Sequence, residues 1–347
     1  MRRLSPLFWH ALLAADLAPD LSRAIVESLG TSSLEPLAAL RSWPGLTNAA
    51  RARLDKVDVR RVQALLEKGY WWREAGDIEA FAETPVAPLG LFGRGCADAL
   101  GRPSVAIVGT RQASPYGKAC ARKFAEHLAE SGWLVLSGGA LGIDNQAHEG
   151  ALAAGGATIA VLGTGADVDY PAAHAPLYQR MCEKGAVVSP FAFGTDSFPG
   201  NFLHRNDVIA ALAHAVLVVE APSGSGALRT AQTAADLGKP VYAVPGPLST
   251  GKFKGSHGLI RDGATLVDHP GQITEELGIL SEFVPARKEL TTDAENELMR
   301  FLDETPKLIE EIVRLSGLDA PSVMSEMTLL ELEGQVIRTP EGFIAAP

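Results

Sequence analysis

Between Pro103 and His269, short runs of aliphatic residues recur, and each stops at glycine, serine or proline. Val105-Ala-Ile-Val108 stops at Gly109, and Trp133-Leu-Val-Leu136 leads into Ser137-Gly138-Gly139. Thr158-Ile-Ala-Val-Leu162 stops at Gly163, Ala186-Val-Val188 at Ser189-Pro190, Ala215-Val-Leu-Val-Val219 before Pro222, and Val241-Tyr-Ala-Val244 at Pro245-Gly246. Runs this short and this uniformly apolar predict strands buried on both faces. The intervening stretches, such as Tyr116 to Ser131 and the one from Asp144 onward, are long enough for helices. The alternation predicts an α/β domain over residues 103–284: a parallel, Rossmann-like sheet with helices on both faces.

The flanks have other periods. Over residues 1–82 apolar positions recur at helical spacing, as in Leu17-Leu21-Ile25-Leu29 and Val59-Val62-Leu65-Leu66, with a turn at Pro44-Gly45. This predicts a small helical bundle of the SAM or helix-hairpin-helix kind. Residues 83–102, with Pro85, Pro88, Gly90, Gly93 and Gly95, read as a linker or extended lead-in. Pro285 to Lys288 marks a further boundary. Beyond it, Leu290 to Leu302, Lys307 to Leu315 and Pro321 to Glu333 read as helices, and Gln335 to Arg338 with Gly342 to Ile344 as a hairpin. Residues 285–347 therefore follow the pattern of a winged helix.

Arg2 and Arg3 precede an apolar stretch, Leu4 to Leu17, but His10 and Asp16 interrupt it and no small-residue cleavage site follows. It reads as a first helix rather than a signal peptide. No apolar run approaches the roughly 18 residues of a bilayer span. The three cysteines, Cys96, Cys120 and Cys182, form no CxxC pair and suit a reducing cytoplasm. The eight histidines form no HExxH array, so a catalytic zinc is not expected.

The net charge of −10 is unevenly placed: residues 1–268 are nearly neutral, and 269–347 carry 6 basic against 16 acidic side chains. Such a C-terminal module would repel phosphate, so contact with a partner protein or autoregulation is expected of it rather than duplex binding. Arg51, Arg53, Arg60 and Arg61 form a modest basic cluster that reads as a solvated face.

Ligands of open α/β sheets bind beyond the carboxyl ends of the strands. Here those ends are Gly109-Thr110-Arg111, Ser137-Gly138-Gly139, Gly163-Thr164-Gly165, Ser223-Gly224-Ser225-Gly226 and Pro245-Gly246. Glycine allows close backbone approach, and helix N-termini offer unpaired N–H groups, so the rim predicts phosphate binding. The first turn is not GxGxxG and no carboxylate ends the second strand, which excludes the NAD fingerprint; no GxxxxGK[ST] is present, which excludes a P-loop. Arg111, Arg205, Lys252, Lys254 and Arg261 fall at or past these ends. Arg111, in a tight turn, is expected to need an anion, from a ligand or from Asp144. Phe253, between Lys252 and Lys254, is a candidate stacking platform for a base. Asp144 and His148 share a helix face, and Asp144 reads as an N-cap.

At these residues the sequence resembles the DprA (Smf) family of bacterial DNA-processing proteins. Val105-Ala-Ile-Val-Gly-Thr-Arg111, Ser137-Gly-Gly-Ala-Leu-Gly-Ile-Asp144 with Ala147-His148, and Thr158-Ile-Ala-Val-Leu-Gly-Thr-Gly165 with Asp169-Tyr-Pro171 are similar to three of its blocks. Asn201-Phe202 through Arg205-Asn206, Ser225-Gly-Ala-Leu-Arg-Thr-Ala231 and Val244-Pro-Gly246 are similar to three more. The resemblance implies a single-stranded DNA-binding protein, not an enzyme, that helps load a RecA-type recombinase and acts as a homodimer through its α/β domain without a cofactor. The implied DNA contacts are Gly109, Thr110, Arg111, Ser137, Gly138, Gly139, Gly163, Gly165, Arg205, Asn206, Ser223, Gly224, Ser225, Gly226, Lys252, Phe253 and Lys254.

The chain departs from the family pattern at Asp207, which sets a negative charge beside Arg205, and at Leu141, Ala227 and Ser256-His257. Lys252, Lys254 and Arg229 are expected to compensate. The alternative is a nucleoside-phosphate hydrolase of the related lysine-decarboxylase-like (LOG) fold. Its PGGxGTxxE motif loses the glutamate in Pro222-Ser-Gly-Ser-Gly-Ala-Leu-Arg-Thr-Ala231.

Overall fold

The computed structural model describes residues 4–32, 36–82, 84–278 and pieces between 298 and 345. The chain divides into two compact units, Met1–Pro285 and Ala286–Pro347.

The first unit is built on a nine-stranded sheet. Its strands are β1 (Trp71–Glu74), β2 (Gly90–Gly95), β3 (Ser104–Val108), β4 (Leu134–Ser137), β5 (Thr158–Val161), β6 (Ala186–Ser189), β7 (Ala215–Val218), β8 (Val241–Ala243) and β9 (Thr265–Leu266), in the order β1-β2-β6-β5-β4-β3-β7-β8-β9. The six strands expected from the apolar runs are all present and parallel. The sheet is nevertheless mixed, because β1 and β2 add an antiparallel edge. The helices that connect the parallel strands include α6 (Pro115–Glu130), α7 (Ile143–Ala153), α8 (Ala175–Met181), α9 (Pro199–Leu212) and α10 (Gly226–Asp236).

Side-chain alternation along each central strand divides the core into two layers. Ala106 and Val108, Leu134 and Leu136, and Val216 and Val218 face one layer, which α9 and α10 close with Val208, Leu212 and Ala231. Val105, Ile107, Val135 and Leu217 face the other, closed by Phe124 and Leu128 of α6 and Ala147 and Ala151 of α7. Fully buried strands of this kind leave their carboxyl ends as the exposed polar rim.

The N-terminal helices are α1 (Pro6–Ala14), α2 (Pro19–Ser32), α3 (Pro36–Arg41), α4 (Asn48–Asp55) and α5 (Val59–Glu67). They bury Phe8, Leu12, Ile25, Leu40, Leu54 and Val62 against Trp72, Phe92 and Phe193, so their core is continuous with the sheet edge. Trp9 stacks on Trp72 with ring centres 5.3 Å apart. Three arginines of the basic cluster have structural partners. Arg51 donates to the Arg41 and Trp43 carbonyls, Arg53 to that of Ala15, and Arg61 to Asp167 at 2.8 Å.

In the second unit Ile309–Ser316 is a helix, and Val336–Thr339 pairs antiparallel with Gly342–Ala345. Ile312, Val323, Met327, Val336 and Phe343 bury together, the core of a winged helix. The helix expected from Leu290 lies mostly outside the described residues.

His148 on α7 is fully buried. Thr158 Oγ1 donates to the Val135 carbonyl, so it accepts from His148 Nδ1–H at 2.7 Å. Burial holds the imidazole down to about 3, with His174 and Arg205 adding to the effect. The folded value lies below the ordinary 6.5. The stability tied to neutral His148 is therefore complete above that pH and lost as pH falls toward 3, by up to about 1.4 kcal/mol per pH unit. His148→Asn, which keeps a donor to Thr158, is expected to flatten the dependence of unfolding free energy on pH between about pH 6 and pH 4. Urea titrations across that range check this. A parent slope no steeper than the variant's would contradict it.

Candidate functional site

The first parallel strand, β3, has β4 on one side and β7 on the other, so the chain reverses its winding between β3 and β7. At their carboxyl ends lies a groove of about 690 Å³, within the size range of ligand sites. Its walls include Gly109, Thr110, Arg111, Arg205, Asn206 and Ser223 to Gly226, all expected from the sequence. Gly138 and Gly163 line a smaller recess that shares Arg111 and Arg205. Ser137, Gly139, Gly165, Lys252, Phe253 and Lys254 line neither.

Several rim groups already have protein partners. Ser114 caps α6 by accepting from the Gly117 N–H at 3.0 Å. The Ser114 N–H and hydroxyl both donate to Glu220, at 3.0 and 2.6 Å. Glu220 is fully buried, so an internal carboxylate occupies the start of α6, where a dinucleotide fold would place its pyrophosphate. The Ser137 hydroxyl donates to the Ile107 carbonyl at 2.6 Å, inside the sheet. Gly165 donates to the Thr195 carbonyl at 2.9 Å, away from the groove.

Asp144 is not an N-cap. The cap position of α7 is Gly142, and the Asp144 carboxylate accepts from the Gly138 and Ala140 N–H groups at 3.1 and 3.3 Å. Burial pushes the Asp144 carboxyl up, opposed by Arg205 and by those two N–H groups. Arg205 is only 4% exposed. Its Nη1 donates to the Gly138 carbonyl and, at 2.7 Å, to that of Val161. It lines the groove as a buried strut that ties two strand ends together, with little of its side chain open to solvent.

Two further expectations need correction. Asp207 does not face Arg205: Arg229 grips it through Nε at 3.0 Å and Nη2 at 2.6 Å, and Thr233 donates to it at 2.9 Å. Arg229 is thus engaged by the very residue for which it was expected to compensate. Phe253 is 2% exposed, packed on Gly246 with its ring 5.8 Å from that of Tyr116, and offers no face to a base. Lys252 reaches toward Glu220 at 4.0 Å and the Gln112 carbonyl at 3.5 Å, whereas Lys254 is exposed.

Arg111 remains. It is exposed rather than buried, so no burial penalty compels a counter-ion. Its guanidinium lies 5.1 Å from the centre of the Phe202 ring and makes no ion pair within 4 Å among the described residues, although its charge reaches the Asp144 carboxyl and lowers it. Phe202 also lies under Arg205 at 5.7 Å and beside Tyr170 at 5.5 Å. Phe202 and Tyr170 stand in the blocks similar to the family but were not among the expected DNA contacts. The signal was present, since Phe202 and Arg205 are three apart on one helix and so share a face. Across the groove, the Ser223 and Gly224 N–H groups have no protein partner among the described residues. Asn206 donates to the Gly226 carbonyl at 3.1 Å and fixes that loop.

Residues 77–278 match the family model described as DNA recombination-mediator protein A, and residues 284–342 match the DprA winged helix domain. The chain belongs to the DprA (Smf) family. Within that family, a putative DNA processing protein DprA of Mycobacterium tuberculosis is 38% identical over 257 residues. That stretch is 72% of this chain and 66%, just under two thirds, of the mycobacterial protein. The crystal structure of Streptococcus pneumoniae DprA superposes with a TM-score of 0.69 at 31% identity, covering 79% of this chain and 99% of that one. The structure of Helicobacter pylori DprA, a protein described as having a single-stranded DNA binding mode, superposes at 0.56 with 30% identity, covering 62% and 97%. The DprA family thus accounts for both units.

Proposed function

We propose that this chain binds single-stranded DNA in the groove at the β3/β7 switch point, holds it by its sugar–phosphate backbone, and helps deliver it to a RecA-type recombinase as a homodimer in the cytoplasm. The observation that carries the reading is Arg111: an exposed guanidinium braced on Phe202, with no ion pair within 4 Å among the described residues and the N–H groups of Ser223 and Gly224 across the groove. Cation and open main-chain donors together suit a phosphate. The Helicobacter pylori relative, described as binding single-stranded DNA, supports the same assignment. Residues 285–347, with their acidic excess, are assigned to partner contact rather than to DNA.

Arg111→Ala is expected to weaken oligo-dT binding about 10- to 100-fold, the range for one charge-assisted contact. It should also reduce the slope of log affinity against log salt by about 0.7. Fluorescence anisotropy over a salt series measures both. Binding absent at low salt, or unchanged in the variant, would overturn the reading. Release of free base from nucleoside monophosphates would favour the hydrolase instead.

A further inference from the structure

We infer that a second nucleotide subsite lies outside the groove, on the far side of Arg111, and takes the next nucleotide of the same strand; the inference rests on the groove reading above. A shallow recess of about 330 Å³ opens between the starts of α6 and α7. Arg111, Gln112, Lys118, Leu141, Asn145 and Gln146 line it, and no acidic side chain does. Arg111 also lines the groove and the smaller recess, and Leu141 lines that recess too, so the three form one path over the loop that follows β3.

The chemistry differs from that of the groove. Lys118 is exposed and has no ion pair among the described residues, although Arg122, one turn further along α6, is paired with Glu126 at 2.8 Å. The side-chain amides of Gln112, Asn145 and Gln146 have no hydrogen-bond partner among the described residues. Three amides supply both donors and acceptors, which suits sugar oxygens and base edges, while Lys118 suits a phosphate. Leu141 is 52% exposed and offers an apolar wall to a sugar or base.

The test uses the full chain and labelled oligo-dT of about 4 to about 16 nucleotides, the span of single-strand site sizes. Affinity of the parent is expected to rise with length and then level off. Lys118→Ala combined with Gln146→Ala should leave the shortest bound oligonucleotide unaffected. It should lower affinity for long ones about 10-fold or more, as expected for one charged phosphate contact and one hydrogen bond. Lys118→Ala alone should reduce the salt slope for long oligonucleotides by about 0.7. Identical length dependence in parent and double variant, at matching thermal midpoints, would overturn the subsite while leaving the groove reading intact. No binding of any length by the parent would overturn the groove reading itself.

Discussion

Replacing Arg205 by methionine is expected to cost about 3–5 kcal/mol of stability, the penalty for removing one partner from a buried charged arrangement. The guanidinium donates to the carbonyls of Gly138 and Val161, at the ends of neighbouring strands β4 and β5. Burial lowers its affinity for the proton and Asp144 raises it, so each charge is tolerated because of the other. Methionine fills much of the volume but leaves two carbonyls without that donor and the Asp144 carboxylate without its cation. A urea midpoint shift measures the loss. Adding Asp144→Asn, which removes the stranded charge, should restore part of it, and the double-mutant cycle gives the coupling. A single variant within about 0.5 kcal/mol of the parent, the scale of an ordinary surface change, would refute the structural role. Arg111→Ala should behave in the opposite way, losing binding with little change in stability, because Arg111 is exposed.

That contrast marks how far the sequence could be read. The six central strands were legible because both of their faces are buried, which leaves an apolar run with no polar interruption. Strand β2 was not, since Gly90, Gly93 and Gly95 read as turn residues. In the structure the Trp72 and Trp71 rings lie where side chains at Gly90 and Gly93 would stand. The glycines make room for indoles from β1, a pairing that only the folded register reveals. Strand β9 has two exposed residues and no periodicity to detect.

The rim was legible as a set of glycines and cations, but the state of each member was not. Whether a cation is available depends on carboxylates distant in the chain. Ser114 meets Glu220 across 106 positions, and Arg229 meets Asp207 across 22. Among Arg111, Arg205 and Arg229, the fold leaves Arg111 to face solvent, makes Arg205 a strut and ties Arg229 to Asp207. Phe253 illustrates the same limit. A lone aromatic between lysines reads as a platform, yet its ring fills the space above Gly246.

Gly142→Ala is expected to damage stability and binding together. Gly142 has φ +83°, and a Cβ there would meet the Thr110 carbonyl oxygen and, at 2.6 Å, that of Arg111. The φ alone implies strain of about 1–3 kcal/mol for a residue with a side chain. The contact adds a second effect, because both obstructing atoms are backbone of the loop that carries Arg111. That loop also accepts the Ile143 N–H on the Thr110 carbonyl at 3.2 Å, which holds it to the start of α7. A methyl group must push the loop and α7 apart, moving Arg111 off Phe202 and away from the Ser223–Gly226 wall. Oligo-dT affinity should therefore fall at least as far as in Arg111→Ala, about 10-fold or more, even well below the unfolding midpoint. Gly155→Ala is the control. Gly155 has φ +69° and nothing within 4 Å of where a Cβ would stand, so alanine there carries the strain without the collision. If both variants lose stability but only Gly142→Ala loses binding, the junction between the β3 loop and α7 sets the position of Arg111. Parent-like binding by a folded Gly142→Ala protein would mean that Arg111 keeps its function without that junction.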